Sequence, residues 1–462
     1  MKKCQVFTPE NYVDLLLNYA DYNENLYGKK VLENSCGDGN ILSKIVQRYI
    51  TDCKKQGFSA EKISEGLSND VYGIEIIKTT WRKCICRLDE IIEDEHLPPV
   101  DWKIFNINYF SWTPENKFSY IIGNPPYITY SEIKKTEIKK LKTSFNSCSK
   151  GKFDYCYAFI EKSINELENN GKMSYLIPSS IFKTVFGNNL RSFILPHTKE
   201  IIDYSLHKVF SDALVKSSIL NIQKNSNYSS ILYKFDNKCV NIDKTLLSDK
   251  WVFLQKEASG NRRFGDYFQV SHAVATLYNK AFLLTDYEED DNYIYVGNHK
   301  IEKEIIRPAV SAKSKRYKNN TLIIFPYYFN DGLKRYEETT FIKRFPRVTE
   351  YLKSFSSELK NRKSDIKSKW FEYGRSQALS SLNQNKLLIS VVISDKVLVY
   401  EASSNDIPYA GMFVTQKKDL SLQDAKKILE SQEFLEYAQS IGIHMSGNSI
   451  RIMSKDIMEY RF

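Results

Sequence analysis

The sequence lacks any run of about 18 apolar residues, the length that a membrane-spanning helix requires, and has no apolar segment near its first residue. We therefore expect neither a membrane span nor secretion, and a cytoplasmic location. Its eight cysteines are scattered and form no paired CxxC framework, and the pair Cys84 and Cys86 has no second half. This spacing argues against a disulfide scaffold and against zinc, so we expect no metal site.

Acidic residues are outnumbered: 66 lysines and arginines face 56 aspartates and glutamates, for a formal net charge of +10. This excess favours a polyanionic partner, although a positive surface that only confers solubility remains the alternative. The chain has 462 residues, of which 42% are hydrophobic and 26% charged, as in soluble globular proteins. That length is enough for two or three domains with substantial cores.

The most informative stretch is residues 120–127, Tyr-Ile-Ile-Gly-Asn-Pro-Pro-Tyr. Its apolar first half predicts a buried strand, and the two prolines predict a stiff turn where that strand ends. In open α/β sheets, ligands bind at this end of the strands. The Asn124 oxygen and a backbone carbonyl can both accept from one amino group, and the Tyr127 ring can stack on a planar molecule. The stretch therefore predicts a site for a planar amine, with a proline-rich turn as the alternative.

A strand, a glycine loop and a helix are predicted early in the chain. Residues 31–32 form the strand, Gly37 and Gly39 the loop, and residues 41–49 the helix. Such a unit presents backbone N–H groups and the positive end of a helix to a ligand. The third glycine of the dinucleotide fingerprint is absent, and Glu33 stands at the strand end instead. A carboxylate there suits a cationic or hydroxyl-bearing ligand better than a pyrophosphate.

Similar strand ends recur along the first half of the chain. A second strand ends at Glu75, whose carboxylate can accept both hydroxyls of a ribose; a solvated glutamate is the alternative. A third strand is predicted over residues 102–105 and is followed by Asn108, which could accept from an adenine amine. Helical segments over 59–67 and 78–93 separate the strands, which favours a parallel, doubly wound sheet.

Two further segments have less specific patterns. Thr8, Pro9 and Glu10 predict a helix start with Thr8 as N-cap, and a surface helix is as consistent with them as a ligand role. Residues 128–154 carry seven lysines. They predict a mobile basic flap over the site or, alternatively, an exposed linker helix.

A polar Asn/Ser stretch at residues 225–230 predicts the boundary between domains 1–230 and 231–462. One long helix is predicted over residues 347–362 of the second domain. This domain also mixes basic residues with aromatics, in clusters at 313–318, 334–336, 343–345 and 370–377. Side chains of these types make contacts to phosphates and bases in protein–nucleic acid complexes, so we expect this domain to bind nucleic acid.

Taken together, Thr8-Pro9, residues 33–39, Glu75, Asn108 and residues 124–127 resemble the gamma-class, TaqI-like adenine-specific DNA methyltransferases of restriction–modification systems. Other segments extend the resemblance over most of the chain: 151–154, 171–178, 209–213, 304–308 and 370–375. The resemblance implies a doubly wound, mostly parallel Rossmann-like α/β catalytic domain and a C-terminal α+β target-recognition domain. The implied cofactor is S-adenosyl-L-methionine.

The resemblance also implies a role for each matched position. Asn124 and the Pro125 carbonyl would bind the exocyclic amine of a flipped-out adenine, and Tyr127 would stack on that base. The cofactor contacts would come from a larger set of residues, namely Thr8, Glu33, Asn34, Ser35, Cys36, Gly37, Glu75, Asn108 and Pro126.

Two positions depart from the family pattern. Asn108 stands where the family usually has an aspartate, which implies a weaker contact with the cofactor's adenine. The second stacking aromatic expected at residues 218–222 is absent, so Phe210 or a ring from the flap would have to substitute for it.

The expected function is transfer of a methyl group to the N6 amine of an adenine in duplex DNA. We expect a monomer that binds double-stranded DNA, with a separate cognate restriction endonuclease as a further partner. Methylation of an RNA adenine or of a protein glutamine is the alternative enzymatic function, since both kinds of enzyme can carry a sequence similar to the tetrapeptide of residues 124–127. A non-catalytic DNA specificity protein is the alternative outside enzymes.

Overall fold

The computed structural model describes residues 8–205, 209, 215–254, 260–445 and 449–462. The chain forms two compact units. The first comprises residues 1–253 and 443–448, and the second comprises residues 254–442 and 449–462. Each unit has its own apolar core.

The first unit is built on a nine-stranded sheet with the strand order β3-β2-β1-β4-β5-β7-β6-β8-β9. The strands are β1 (Val31–Glu33), β2 (Val71–Ile74), β3 (Lys103–Phe105), β4 (Phe118–Gly123), β5 (Leu167–Pro178), β6 (Thr198–Asp203), β7 (Ser217–Gln223), β8 (Ser230–Phe235) and β9 (Lys238–Asp243). Strands β1 to β5 are parallel, and β7 runs antiparallel between β5 and β6. The predicted doubly wound α/β fold is therefore confirmed.

Seven α-helices accompany this sheet in the described part of the first unit. They are α1 (Glu10–Tyr19), α2 (Asn40–Lys55), α3 (Ala60–Asp70), α4 (Lys78–Asp94), α5 (Lys135–Ser144), α6 (Cys156–Glu166) and α7 (Asn188–Ile194). Helix α2 buries Ile41, Ile45 and Tyr49 on one face, which is the helical spacing that its sequence predicts. Within the described ranges, no helix of either unit is long and apolar enough to cross a membrane.

The strand order reverses between β1 and β4. The chain adds β2 and β3 on one side of β1 and then crosses to pair β4 with its other side. The connection that leaves β1 leads to β2 on one side, whereas the connection that leaves β4 leads to β5 on the other, so a crevice opens at the carboxyl ends of β1 and β4. Glu33 and Asn124 lie at these two strand ends, so the fold brings together the two stretches that the sequence singles out.

The first unit extends beyond the boundary expected at residue 230. The polar stretch 225–230 connects β7 to β8, and Asn225 adopts a left-handed conformation there with φ 57°. Strand β8 then pairs in parallel with β6, and β9 pairs with β8. A polar turn between two strands of one sheet has the same composition as a linker, which explains the difference.

The second unit is a mixed α+β structure. Its strands are Phe268–His272, Leu283–Leu284, Glu288–Glu289, Tyr293–Val296, His299–Glu302, Ile306–Val310, Leu322–Ile324, Tyr327–Phe329, Leu333–Arg335, Lys386–Ile389, Val392–Ile393, Val399–Ala402, Ile407–Pro408, Met412–Gln416 and Ile450–Arg451. Its helices are Phe264–Tyr267, Asn279–Phe282, Ala312–Tyr317, Glu338–Arg344, Pro346–Lys353, Ser356–Lys360, Leu422–Leu429, Gln432–Ile441 and Ser454–Glu459. The single helix predicted over 347–362 is wrong, because the chain breaks near Phe355 into two shorter helices.

The basic and aromatic clusters of the second unit separate by residue type. Their aromatic side chains mostly build the core, and the buried ones include Tyr336, Phe345, Phe371 and Tyr373. Their basic side chains mostly face solvent, and the exposed ones include Lys313, Lys318, Lys334, Lys343 and Arg344. The cationic surface expected from the sequence is therefore present, whereas the four buried aromatics are not available for stacking on bases.

Candidate active site

Asn124 is held from two sides at the carboxyl end of β4. Its side-chain Nδ2 donates to Thr8 Oγ1 at 3.1 Å, and its backbone carbonyl accepts from Ser35 Oγ at 3.0 Å. Thr8 precedes α1 and Ser35 follows β1, so three distant parts of the chain meet at this residue. The structure thus brings together three of the residues that the sequence singles out.

The prediction that Thr8 caps helix α1 is wrong. The N-cap is Pro9, and no side chain caps the helix. Thr8 is instead buried, with 4% of its surface exposed. Its hydroxyl accepts from Asn124, and its carbonyl accepts from Asn40 Nδ2 at 2.5 Å. Asn40, the first residue of α2, is a positioning residue that the sequence analysis missed.

The loop after β1 depends on two glycines with left-handed backbones, Gly37 at φ 56° and Gly39 at φ 90°. A Cβ atom at Gly37 would meet no atom of the described residues within 4 Å. At Gly39 it would lie 2.9 Å from Cys84 Sγ and 3.3 Å from Cys84 Cα, on helix α4. The tight turn therefore lets the loop pack directly against α4, with no room for a side chain.

These two glycines allow a matched test of the loop. We expect Gly39→Ala to lower the free energy of unfolding by about 2 kcal/mol or more, because backbone strain adds to overlap with Cys84. Gly37→Ala meets only the backbone strain and should cost about 1 kcal/mol. Urea unfolding of both variants and the wild type would measure this difference. Equal losses for the two variants would contradict the proposed packing against Cys84.

Glu33 lies in the crevice between β1 and β4. Its side chain is 2% exposed, and its Oε2 atom has no hydrogen-bond partner in the part of the chain that the structure describes. Burial raises the pKa of this carboxyl group well above its ordinary value. An unsatisfied buried carboxyl oxygen costs free energy, so the position is suited to a ligand that is cationic or donates a hydrogen bond.

Glu75 follows β2 and bridges to the glycine loop. Its Oε2 accepts from the Gly37 N–H at 3.0 Å, and its Oε1 accepts from the Ile77 N–H at 2.6 Å. Burial raises the pKa of Glu75, and these two backbone donors oppose that rise. Because each carboxylate oxygen has a second acceptor site, Glu75 can hold the loop and still accept from the hydroxyl groups of a ligand.

The side chains of Asn34 and Cys36 are directed into the protein. Asn34 Oδ1 accepts from the Tyr175 hydroxyl at 2.7 Å, and its Nδ2 donates to Ser163 Oγ at 2.9 Å. The Cys36 side chain is buried, and its backbone N–H donates to the Ile74 carbonyl at 2.9 Å. The Asn34 side chain therefore ties the loop after β1 to β5 and α6, and the Cys36 backbone ties it to β2.

Asn108 lies in a short turn after β3. Its Oδ1 accepts from the Phe110 N–H at 2.9 Å and so caps the single-turn 3₁₀-helix that follows. The Phe110 ring packs against Phe145, Tyr155 and Phe159, with ring centroids 5.0 to 5.4 Å apart. Asn108 thus stands beside an aromatic cluster, and part of its acceptor capacity serves the local backbone.

The rest of the tetrapeptide is anchored in the first unit. Pro125 is buried, and Pro126 and Tyr127 are half-buried. Burial raises the pKa of the Tyr127 phenol well above its ordinary value, and a hydrogen bond with Ser217 opposes this rise. Ser217 begins β7, whose residues 218–222 contain no aromatic side chain. Phe210, the other candidate for a second stacking ring, lies outside the described residues.

Residues 128–154 form a segment whose two ends both lie beside the tetrapeptide. The Tyr155 N–H donates to the Ile128 carbonyl at 3.0 Å, and the Tyr155 hydroxyl donates to Glu137 Oε1 on α5 at 2.6 Å. Several apolar residues anchor the segment by burial, namely Ile133, Leu141, Cys148 and Phe153. The segment therefore begins and ends beside the tetrapeptide of residues 124–127 and carries helix α5.

Asp154 ends this segment and is a further residue that the sequence did not mark as a site residue. Its Oδ1 atom is buried without a hydrogen-bond partner among the described residues. Burial raises the pKa of Asp154 to about 6, although the backbone N–H groups of Tyr155 and Cys156 oppose this. Its charge in turn contributes to the raised pKa of Tyr127. A carboxyl group that titrates near neutral pH thus lies close to the tetrapeptide.

Comparison with known families gives one match within the first unit. Residues 25–210, which include β1 to β6, match the Eco57I restriction-modification methylase family. This match confirms the resemblance inferred from the sequence. The cofactor of this class is S-adenosyl-L-methionine, as expected.

Individual relatives are similar over different shares of the chain. The chain is 26% identical over 393 residues to the type II restriction enzyme and methyltransferase RM.Eco57I of Escherichia coli, covering 73% of this chain and 39% of that protein. It is 22% identical to the type II methyltransferase M.BstVI of Geobacillus stearothermophilus, covering 99% of this chain and 89% of that protein. The chain thus spans about two fifths of the first relative and most of the second.

Solved structures share the fold at low sequence identity. The type IIL restriction-modification enzyme MmeI in complex with DNA has a TM-score of 0.62 at 14% identity, covering 97% of this chain and 64% of that one. A DrdV–DNA complex has a TM-score of 0.53 at 11% identity, covering 90% of this chain and 49% of that one. At these identities the similarity concerns the fold alone.

Proposed function

We propose that this protein is a site-specific DNA methyltransferase that transfers a methyl group from S-adenosyl-L-methionine to the N6 amine of an adenine flipped out of duplex DNA. The main support for this proposal is that Thr8 and Ser35 hold Asn124 by hydrogen bonds at the crevice between β1 and β4. The names of its relatives, which are restriction-modification methyltransferases, support a DNA substrate.

The donor side of the proposed site consists of the loop after β1 and the two carboxyl groups. The bound cofactor would supply an electrophilic methyl group on a positively charged sulfonium. Glu33 fits such a ligand because its buried Oε2 has no hydrogen-bond partner among the residues that the structure describes. Glu75 holds the Gly37 N–H and retains acceptor capacity for ribose hydroxyls. The proposed set of cofactor contacts is completed by Thr8, Asn108, Pro126 and the backbone of residues 34–37.

On the acceptor side, the orientation of the Asn124 amide is fixed. Because Nδ2 donates to Thr8 Oγ1, the amide oxygen is turned away from Thr8. With the Pro125 carbonyl, it would accept the two N–H groups of the adenine amine. Two acceptors around this nitrogen free its lone pair from the ring and stabilise the positive charge that develops during attack. Proximity in line with the donor methyl accounts for much of the remaining rate enhancement.

Tyr127 would hold the extruded base by stacking. We expect Tyr127→Ala to weaken binding of DNA that carries an unpaired target adenine by about 1–3 kcal/mol, the usual contribution of an aromatic–base stack. Tyr127→Phe is the control, since it keeps the ring and removes only the hydroxyl beside Ser217. Fluorescence anisotropy titrations of both variants would measure the affinities. An unchanged affinity for Tyr127→Ala would argue against stacking.

The second unit is proposed to recognise the target sequence. Its exposed lysines and arginines can neutralise phosphates, and extrusion of the base requires that the duplex be held firmly. We extend the proposal to a monomer that acts beside a separate cognate endonuclease.

The substrate class can be tested by competition. The purified chain would be incubated with tritiated S-adenosyl-L-methionine and duplex DNA, an RNA of matching sequence, or a cell protein extract. The proposal predicts incorporation into duplex DNA that excess unlabelled DNA suppresses and RNA does not. Incorporation into RNA or protein alone would support the alternative methyltransferase functions, and none into any of them would support a non-catalytic specificity protein.

A further inference from the structure

Two adjacent apolar side chains of the first unit face solvent. Val185 is 67% exposed and Phe186 is 43% exposed, in the loop of residues 179–187 that joins β5 to α7. Single exposed apolar residues are common on protein surfaces. Two consecutive exposed apolar residues in a loop fixed by hydrogen bonds are less common than single ones. The contacts within this loop show how its conformation is fixed.

A buried arginine braces the loop from inside. Arg191 is 1% exposed, and its Nη1 donates to the carbonyls of Ile181 at 2.6 Å and Thr184 at 2.8 Å. The Thr184 hydroxyl also shares a 3.1 Å hydrogen bond with the hydroxyl of Tyr157 on α6. Burying a guanidinium is costly unless its donors are used, and here two bonds go to the loop backbone. The loop therefore presents Val185 and Phe186 in a defined conformation.

The loop lies at the same edge of the sheet as the tetrapeptide. Strands β4 and β5 are parallel neighbours, and Gly123 at the end of β4 is in register with Tyr175 near the end of β5. The chain leaves both strands at their carboxyl ends, where ligands bind in such sheets. Val185 and Phe186 thus lie on the side of the unit from which a substrate would approach Asn124.

The surroundings of Phe186 are positively charged. Its ring touches the backbone of Gly151, where an added Cβ would overlap it, and Gly151 lies between the exposed Lys150 and Lys152. Residues 128–154 contain seven lysines and three acidic residues, a net charge of +4. Neither Lys150 nor Lys152 pairs with a carboxylate within the described residues. An apolar tip is therefore flanked by cations available to an anionic partner.

We infer that Val185 and Phe186 form an apolar wedge that enters duplex DNA beside the extruded base, while Lys150 and Lys152 contact the adjacent phosphates. Proteins that unstack DNA commonly insert apolar side chains between bases, and the exposed lysines match the charge of the backbone on either side. This inference rests on the proposed function, since it assigns a residue pair to the extrusion step that the proposed reaction requires.

The test compares two DNA substrates that share one target site, mapped by sequencing modified DNA from cells that express the protein. In one duplex the target adenine is paired, and in the other it lies opposite an abasic site. We expect a Val185→Ser/Phe186→Ser double variant to lose about tenfold or more in methyl-transfer rate on the paired duplex. The loss should be small on the second duplex, where extrusion needs little help. Leu246→Ser, at another exposed apolar residue, is the control and should lose nothing on either.

Two further measurements separate the wedge from the phosphate contacts. With 2-aminopurine at the target position, the double variant should show less fluorescence than the wild type, because fewer bases are unstacked. Lys150→Gln/Lys152→Gln should weaken DNA binding and reduce the slope of log affinity against log salt by up to about 2.

If the double variant loses methyl-transfer rate equally on both duplexes, or on neither, the inference that Val185 and Phe186 act as a wedge is wrong. The proposed function would be unaffected by this result. An unchanged salt slope would overturn the phosphate contacts. Absence of methyl transfer by the wild-type chain would instead overturn the proposed function, and this inference with it.

Discussion

Replacement of Asn124 by alanine is expected to lower methyl transfer by at least about 10³-fold, effectively abolishing it, while S-adenosyl-L-methionine still binds. The substitution removes the amide oxygen that would accept from the adenine amine and leaves the carboxyl groups of the donor side in place. Methyl incorporation into DNA would be measured with tritiated cofactor, and cofactor affinity by isothermal titration calorimetry. Substantial turnover by this variant would refute the role assigned to Asn124.

Thr8→Val provides a matched control for the orientation of the amide. Valine preserves the shape of the threonine side chain and removes the hydroxyl that accepts from Asn124 Nδ2 at 3.1 Å. The amide oxygen then remains but is less firmly held, so we expect a loss of about tenfold and not a complete one. A loss as large as that of Asn124→Ala would mean that Thr8 does more than position this amide.

Glu75→Ala is expected to weaken cofactor binding by about 100-fold, equivalent to about 2.7 kcal/mol. Two effects add in this variant: the N–H groups of Gly37 and Ile77 lose their acceptors, and the contact that we propose between Glu75 and the ribose hydroxyls of the cofactor is lost. Isothermal titration calorimetry with the cofactor would measure the loss, and DNA binding without cofactor should be unaffected.

Glu75→Gln separates these two effects. Glutamine keeps one side-chain oxygen, which can accept from only one side of the site, so the affinity should fall between those of the wild type and Glu75→Ala. Wild-type affinity in Glu75→Ala would exclude Glu75 from the cofactor site. A large loss of thermal stability without loss of affinity would mean that its role is confined to holding the glycine loop.

Much of the catalytic half could be predicted because its signals are local. A short apolar run followed by Gly37 and Gly39, or by Pro125 and Pro126, marks a strand end without knowledge of the rest of the fold. Once the strands are parallel, their carboxyl ends meet at one edge of the sheet. The positions of Glu33, Glu75 and Asn124 at successive strand ends therefore followed from the sequence.

The remaining features depend on contacts between distant residues. The sequence around Thr8 is typical of a helix cap, but the hydroxyl bonds to Asn124, which lies 116 residues away. The stretch 225–230 has the composition of a linker, and only the pairing of β6 with β8 shows that it is a turn within one sheet. Likewise, Phe371 and Tyr373 belong to a basic and aromatic cluster in the sequence, yet tertiary packing buries them.

The central claim is that Asn124 and its neighbours direct a methyl group to the N6 amine of adenine in DNA. Mass spectrometry of nucleosides would test it most directly, using duplex DNA treated with the purified chain and S-adenosyl-L-methionine that carries a deuterated methyl group. The account predicts deuterium-labelled N6-methyldeoxyadenosine, and none when Asn124 is alanine. Label on cytosine would contradict it. So would the absence of label in DNA that contains the target site mapped by sequencing modified DNA from cells that express the protein.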